Sequence, residues 1–258
     1  MKKSILLSFD IEEFDIPQEY GQIIDKNKQF DVSLQGLKSV LLLLDSLDIK
    51  ATFFVTANFA IHHQEMILKI SQKHEIASHG FYHSSFSLED LETSRTTLEQ
   101  ITNSRITGFR MPRLMDVDDT ALHTAGYQYN SSMNPTYIPG RYNNFFKQRT
   151  VYYSNEIWNI PVSVTPRIRF PLFWLSFKNF PLLWMKIATQ RTLQYDSYLC
   201  IYFHPWEFTD IHDFHLPKFI KRRSGAVMID RLGKYLIWLK KQGEFMTFSD
   251  FIHSRNSI

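Results

Sequence analysis

The chain has 258 residues, a formal net charge of +3, 44% hydrophobic and 21% charged residues, and a single cysteine. That is enough apolar sequence for one large core, and α/β barrels reach this length as a single domain. The charge excess is too small for a nucleic-acid surface. The lone Cys200 excludes an internal disulfide, and no apolar run reaches the ~20 residues that span a bilayer. The start, Met1-Lys2-Lys3, is basic like that of a signal peptide. The apolar run after it, residues 5–9, is shorter than an h-region of ~7–15 residues and leads straight into acids. A cytoplasmic protein is expected.

In chain order, strand and helix patterns alternate. Residues 4–9 read as a buried strand, 34–47 as a helix with its leucines on one side, 51–55 as a strand and 61–72 as a helix. A short strand at 75–78 leads into Ser78-His79-Gly80-Phe81-Tyr82-His83. A helix follows from Ser87, where Asp90 three residues on approximates a capping box. Residues 105–109 read as a strand, 116–124 as a short helix with acids in its first turn, and 127–130, 156–160 and 198–203 as strands. An amphipathic helix at 227–241 and a last strand at 245–248 close the series. Residues 131–150 are rich in turn formers and aromatics, as in an ordered loop near a site. The excursion at 165–190 holds the unusually aromatic stretch 170–185. It is read as a packed cover over the barrel, with peripheral membrane contact or a wall for a lipid-linked or sugar substrate as the alternative.

Some seven βα units without a composition break predict one domain, 1–258, with a parallel barrel favoured over a doubly wound sheet. Barrel chemistry sits on loops at the C-terminal ends of the strands. Asp10, His79, Arg110 and His204 all fall at such ends. His79 and His83 are four residues apart, so on one helical turn both rings would reach a single metal ion. Asp10-Ile11-Glu12 puts two carboxylates on the same side of an extended chain, with Glu13 and Asp15 as further ligand candidates. A carboxylate and two imidazoles leave coordination positions open, as in a catalytic metal site. With a second carboxylate as base and His204 as a separate acid, these groups can hydrolyse an amide or ester.

Taken together, these segments resemble the polysaccharide deacetylases of carbohydrate esterase family 4, the NodB-homology proteins, from Leu6 to about Glu207. Phe9-Asp10-Ile11-Glu12 is similar to the first family motif in a variant form, and His79-Gly80-Phe81-Tyr82-His83 to the second. Gly108-Phe109-Arg110-Met111-Pro112 is similar to the third motif, and Tyr202-Phe203-His204-Pro205-Trp206-Glu207 to the last. The His-Pro-Trp-Glu sequence is most similar to a bacterial branch found with exopolysaccharide or capsule assembly. The resemblance implies a distorted (β/α)7 TIM-like barrel. It further implies Asp10 as general base, Glu12, His79 and His83 as metal ligands, Arg110 orienting the base, and His204 as general acid.

Glu12 stands where the family has an aspartate. Arg113 and Leu114 replace smaller residues, and the fourth motif is recognisable only loosely around Trp158. Tyr137, Trp206, Pro112 and Trp158 are the candidate substrate-binding residues, and zinc is the expected cofactor, with cobalt, nickel or manganese as alternatives. The expected activity is removal of an N-acetyl group from an amino sugar of a glycan or lipid-linked saccharide. Hydrolysis of a small cyclic amide and a catalytically inactive glycan-binding protein are the rivals.

Overall fold

Strand β1 (Ser4–Ile11) is buried along its whole length after Ser4, because it runs inside the sheet with a layer on each side. In the computed structural model, which describes residues 3–256, it pairs in parallel with β10 (Tyr198–Phe203) on one edge and β2 (Thr52–Val55) on the other. Met1 and Lys2 of the basic start lie outside the described residues. The sheet continues through β3 (Glu75–Ser78), β4 (Gly108–Phe109), β5 (Tyr129–Asn130) and β9 (Ile157–Asn159), all parallel. It ends on an antiparallel partner, β8 (Tyr152–Ser154), while β11 (Glu244–Phe245) pairs with the start of β1. A separate hairpin joins β6 (Tyr137–Ile138) to β7 (Tyr142–Asn143).

The result is the expected α/β barrel, curled but not closed by a regular ladder. Past β9 the chain stays bonded to the β5 side through Ile160 N–H to Asn130 and Val162 N–H to Met133, and it reaches β10 only at Ser163, whose N–H donates to the Cys200 carbonyl and whose Oγ accepts from the Cys200 N–H. Pro161 has no N–H, so a continuous ladder cannot run through this segment.

Alternation along β1 sorts its side chains. Ile5, Leu7, Phe9 and Ile11 join the core beneath the helices, while Leu6 points into the barrel with Phe54, Ala77, Tyr129 and Cys200. The even-numbered set therefore carries Asp10, and then Glu12, to the top of the barrel interior.

The helices are α1 (Lys26–Leu47), α2 (Ala57–His62), α3 (Gln64–Ser71), α4 (Glu89–Thr102), α5 (Asp119–Thr124), α6 (Trp174–Asn179), α7 (Leu182–Asp196), α8 (Lys218–Lys221), α9 (Ala226–Leu239) and α10 (Phe248–Asn256). Helix α10 closes the bottom of the barrel with Phe248, Phe251 and Ile252. Glu75 accepts from the free N–H groups of Phe248 (2.9 Å) and Ser249 (3.4 Å) at its start, and from Thr52 and Tyr129 hydroxyls. Burial pushes the Glu75 carboxyl up against these bonds.

Several boundaries differ from the sequence reading. Helix α1 begins at Lys26, because Asp25 caps it through the N–H of Asn27 at 2.9 Å. Its first two turns bury Gln29, Phe30 and Val32 instead of leucines. The expected helix at 61–72 is two helices, broken at His63 (φ −134°, ψ 44°). At Ser87 only half of the capping box forms, with the Asp90 carboxylate accepting from Ser87 N–H at 2.7 Å. Phe248 opens a helix instead of ending a strand. His79 and His83 lie on a loop rather than a helical turn: Gly80, at φ +76°, reverses the chain directly after β3.

Candidate active site

At the C-terminal ends of β1, β3 and β10 a cleft of about 350 Å³ opens, lined among others by Asp10, Glu12, His79, His83, Arg113, Trp174, Tyr202, His204 and Trp206. Glu12 Oε2 lies 3.2 Å from His79 Nε2 and 3.1 Å from His83 Nε2, with all three residues buried. The other ring nitrogens are engaged from behind. His79 Nδ1 is 2.8 Å from the Arg110 carbonyl, and His83 Nδ1 is 2.8 Å from Asp15 Oδ1. Those contacts fix the tautomers and turn both Nε2 atoms toward one point, as outer partners of metal-binding histidines do. One carboxylate and two imidazoles in a buried, converging arrangement fit a divalent metal ion.

The electrostatics agree with a site built for charge. Burial by itself raises the Glu12 carboxyl, but His83, His204 and His79 outweigh it and hold the group far below the usual carboxylate range. Burial opposes protonation of His83, yet Glu12 and Asp15 carry it up to about 9.

Asp10 is held by Arg110, which is completely buried. Arg110 Nη1 donates to Asp10 Oδ1 at 2.6 Å and to Ser8 Oγ at 3.0 Å, Nε donates to the Ser131 carbonyl, and Nη2 to Ser131 Oγ. Its guanidinium lies 4.0 Å from the Phe54 ring centroid and 5.0 Å from that of Tyr202.

His204 faces the group from across the cleft, its Nε2 4.0 Å from Glu12 Oε1. Its Nδ1 lies 3.3 Å from Glu207 Oε1, which also accepts from the His204 backbone N–H at 2.8 Å. Burial lowers the His204 pKa, but Glu12 and Glu207 together raise it above the ordinary imidazole value.

Of the substrate-binding candidates, Trp206 lines the cleft with its indole buried. It donates from Nε1 to Glu12 Oε1 at 3.1 Å and stacks on His204 at 5.0 Å. Tyr137, Pro112 and Trp158 are not among the lining residues. Tyr137 is exposed beside the lining residue Ile138. Pro112 is buried against Gly80, and Trp158 packs on Tyr153 away from the cleft.

The structure also joins to the site residues that the sequence reading left open or gave no role in it. Asp15 joins His83 to Arg113, whose Nε is 3.0 Å from Glu19. Arg113 and Leu114 sit at φ 57° and 52°, in the left-handed region that side chains adopt at a cost of order 1–3 kcal/mol. Lys178, buried behind His204, is the one charged residue between Arg169 and Lys186, a signal the sequence reading did not use.

Among curated proteins the sequence has no match. Solved structures share its fold. A protein assigned as a polysaccharide deacetylase from Mycobacterium smegmatis aligns over 99% of this chain and 91% of its own, with TM-score 0.64 and 18% identity. An allantoinase aligns over 96% of this chain and 88% of its own, with TM-score 0.65 and 14% identity. A family 4 acetyl xylan esterase from Clostridium thermocellum, solved with a cobalt ion, aligns over 98% of this chain and 92% of its own, with TM-score 0.53 and 15% identity. The sequence profile described as Polysaccharide deacetylase matches residues 1–130, half of the chain and the half that contributes Asp10, Glu12, His79, His83 and Arg110. This chain therefore belongs to the polysaccharide deacetylase family.

Proposed function

We propose that the protein is a metal-dependent N-deacetylase acting on an N-acetylated amino sugar of a glycan or glycan precursor. The observation that carries this reading is the convergence of Glu12, His79 and His83 beside an Arg-held aspartate and a separate buried histidine. Family membership supports a hydrolase acting on acetyl groups.

Glu12 Oε2 and the Nε2 atoms of His79 and His83 would hold the cation, with zinc favoured and cobalt, nickel or manganese as alternatives. When bound, such an ion polarises an acyl oxygen and eases ionisation of water. Asp10 has one oxygen occupied by Arg110, which leaves the other to take the proton of the attacking water. The water oxygen bonds to the acetyl carbon, and the carbon–nitrogen bond then breaks. His204 gives its Nε2 proton to the departing amine, and acetate is the second product.

Asp10→Asn should lower acetate release from N-acetylglucosamine oligosaccharides by at least about 100-fold while metal content stays stoichiometric. His79→Ala should lose the metal. Near wild-type turnover in the first variant would remove Asp10 as the base. Full metal occupancy in the second, by elemental analysis, would remove His79 as a ligand.

A small cyclic amide is the second reading, favoured by Arg113 and Leu114 crowding the cleft. Consumption of a ureide without acetate release would select it. In the aromatic stretch, Phe173 and Phe177 are buried, whereas Phe180, Leu183 and Trp184 are exposed. Among the described residues no helix is long and apolar enough to cross a membrane. We read the exposed set as a surface for peripheral contact with the inner membrane, which would suit a cytoplasmic protein working on a lipid-linked saccharide. Loss of vesicle co-sedimentation in Leu183→Asp and Trp184→Asp checks that, and equal binding by variants and wild type would contradict it.

A further inference from the structure

We propose that Lys178 and Glu207 form a buried ion pair that orients His204 for proton delivery, making both of them positioning residues; this rests on His204 being the general acid.

Glu207 lies on the short 3₁₀ turn Pro205–Phe208, fully buried, three residues after His204. Its Oε1 serves the His204 backbone N–H and Nδ1 together, at 2.8 and 3.3 Å. A carboxylate at Nδ1 accepts that nitrogen's hydrogen and favours the doubly protonated ring, whose Nε2 hydrogen then faces the cleft. The ring itself has little freedom. Trp206 stacks on it at 5.0 Å, and Trp174 and Tyr202 meet it edge-on at 5.2 and 5.5 Å.

The second oxygen of Glu207 has no hydrogen-bond partner among the described residues, and Lys178 Nζ stands 3.5 Å from it. Lys178 is equally buried. It reaches Glu207 from α6, donates to the Ile220 carbonyl at 2.8 Å and lies 5.5 Å from the Trp206 ring centroid. Burial pushes its ammonium pKa down, and Glu207 opposes that.

Two fully desolvated charges gain little stability over apolar residues of similar size, so packing alone gives no reason for them here. Their position does. Glu207 without Lys178 would be a buried anion with one bare oxygen, free to turn away from Nδ1 or to take up a proton. Lys178 fixes which oxygen faces His204. The aromatic stretch around it supplies the dry surroundings in which one ammonium can do so, and that gives this excursion a role at the site.

The test compares two acetyl donors, tri-N-acetylchitotriose and 4-nitrophenyl acetate, whose nitrophenolate departs without needing a proton. Lys178→Met and Glu207→Gln should each lower kcat on the amide by at least about tenfold, with KM within about twofold, while turnover of the aryl ester changes less than about threefold. His204→Ala should show the same asymmetry with a larger loss, about 10²–10⁴ on the amide. The neutral double variant Lys178→Met/Glu207→Gln leaves no bare charge, so it should regain the thermal stability lost in the single variants without regaining amide turnover. Recovery of wild-type amide turnover in the double variant would overturn the proposal, as would equal losses on both donors in the single variants. Equal losses in His204→Ala itself would overturn the general-acid reading, and the role of the pair with it.

Discussion

Arg110 shows how one residue can bind three parts of the site. Its side chain holds Asp10, its carbonyl orients His79, and its guanidinium closes the barrel interior against Phe54. Replacing it by Met would leave Asp10 buried without its counter-charge, a loss of about 3–5 kcal/mol by urea denaturation. Asp10→Asn in the same protein should restore part of that, and a cost below about 1 kcal/mol for Arg110→Met alone would refute the coupling. The main participants could be found in the sequence, because each is a polar residue at the end of an apolar strand-like run. Their supports were less visible. Asp15 and Glu19 sit among other acids, and nothing in their spacing indicates that they face His83 and Arg113 across a turn. Tyr137 and Trp158 were attractive as aromatics near motifs, but the strand register sends Trp158 to Tyr153 and leaves Tyr137 beside the cleft wall.

Among the elements, the contact between α1 and the turn that carries His204 is the most exacting. Gly36 on α1 lies so close to this turn that a methyl group built on it would stand 1.8 Å from the Pro205 carbonyl oxygen. Gly36→Ala must therefore push Pro205 and its neighbour His204 outward. We expect a loss of at least about 2 kcal/mol in stability together with lower acetate release, and an unchanged melting temperature would refute the close contact.

His74 gives a pH test at the same scale. Its Nδ1 accepts from the Ala51 N–H at 3.3 Å, which requires the neutral ring, and burial pushes its pKa down to about 4. Because the folded value lies below the unfolded value of about 6.5, this stability is complete above pH 6.5 and is lost as pH falls toward 4. His74→Gln keeps an acceptor but cannot titrate, so its melting temperature should fall less steeply across that window; parallel curves would contradict this. Element existence was legible from periodicity, whereas boundaries were not. The first turns of α1 bury Gln29 and Phe30 and lack the leucines that marked 34–47, and Gly80 turns what looked like a helical histidine pair into a loop.

In the whole molecule, alternation along β1 separates stability from chemistry. One set of its side chains builds the core under the helices, and the other climbs through Leu6 and Ser8 to Asp10 and Glu12 at the open end. Helix α10 seals the opposite end, so the cleft opens at the end that carries the candidate metal ligands. That division explains why the barrel could be read from strand–helix alternation, while its incomplete closure after Pro161 depended on a contact to β10 made at Ser163 and Cys200 instead of by a ladder.

The central claim is tested most directly by acetate release from N-acetylglucosamine oligosaccharides, measured on protein stripped with a chelator and then reloaded with one equivalent of zinc. The account predicts no acetate from the stripped protein and, after reloading, acetate and free amine in equal amounts, with Asp10→Asn inactive throughout. Acetate formation that survives complete metal removal would contradict it.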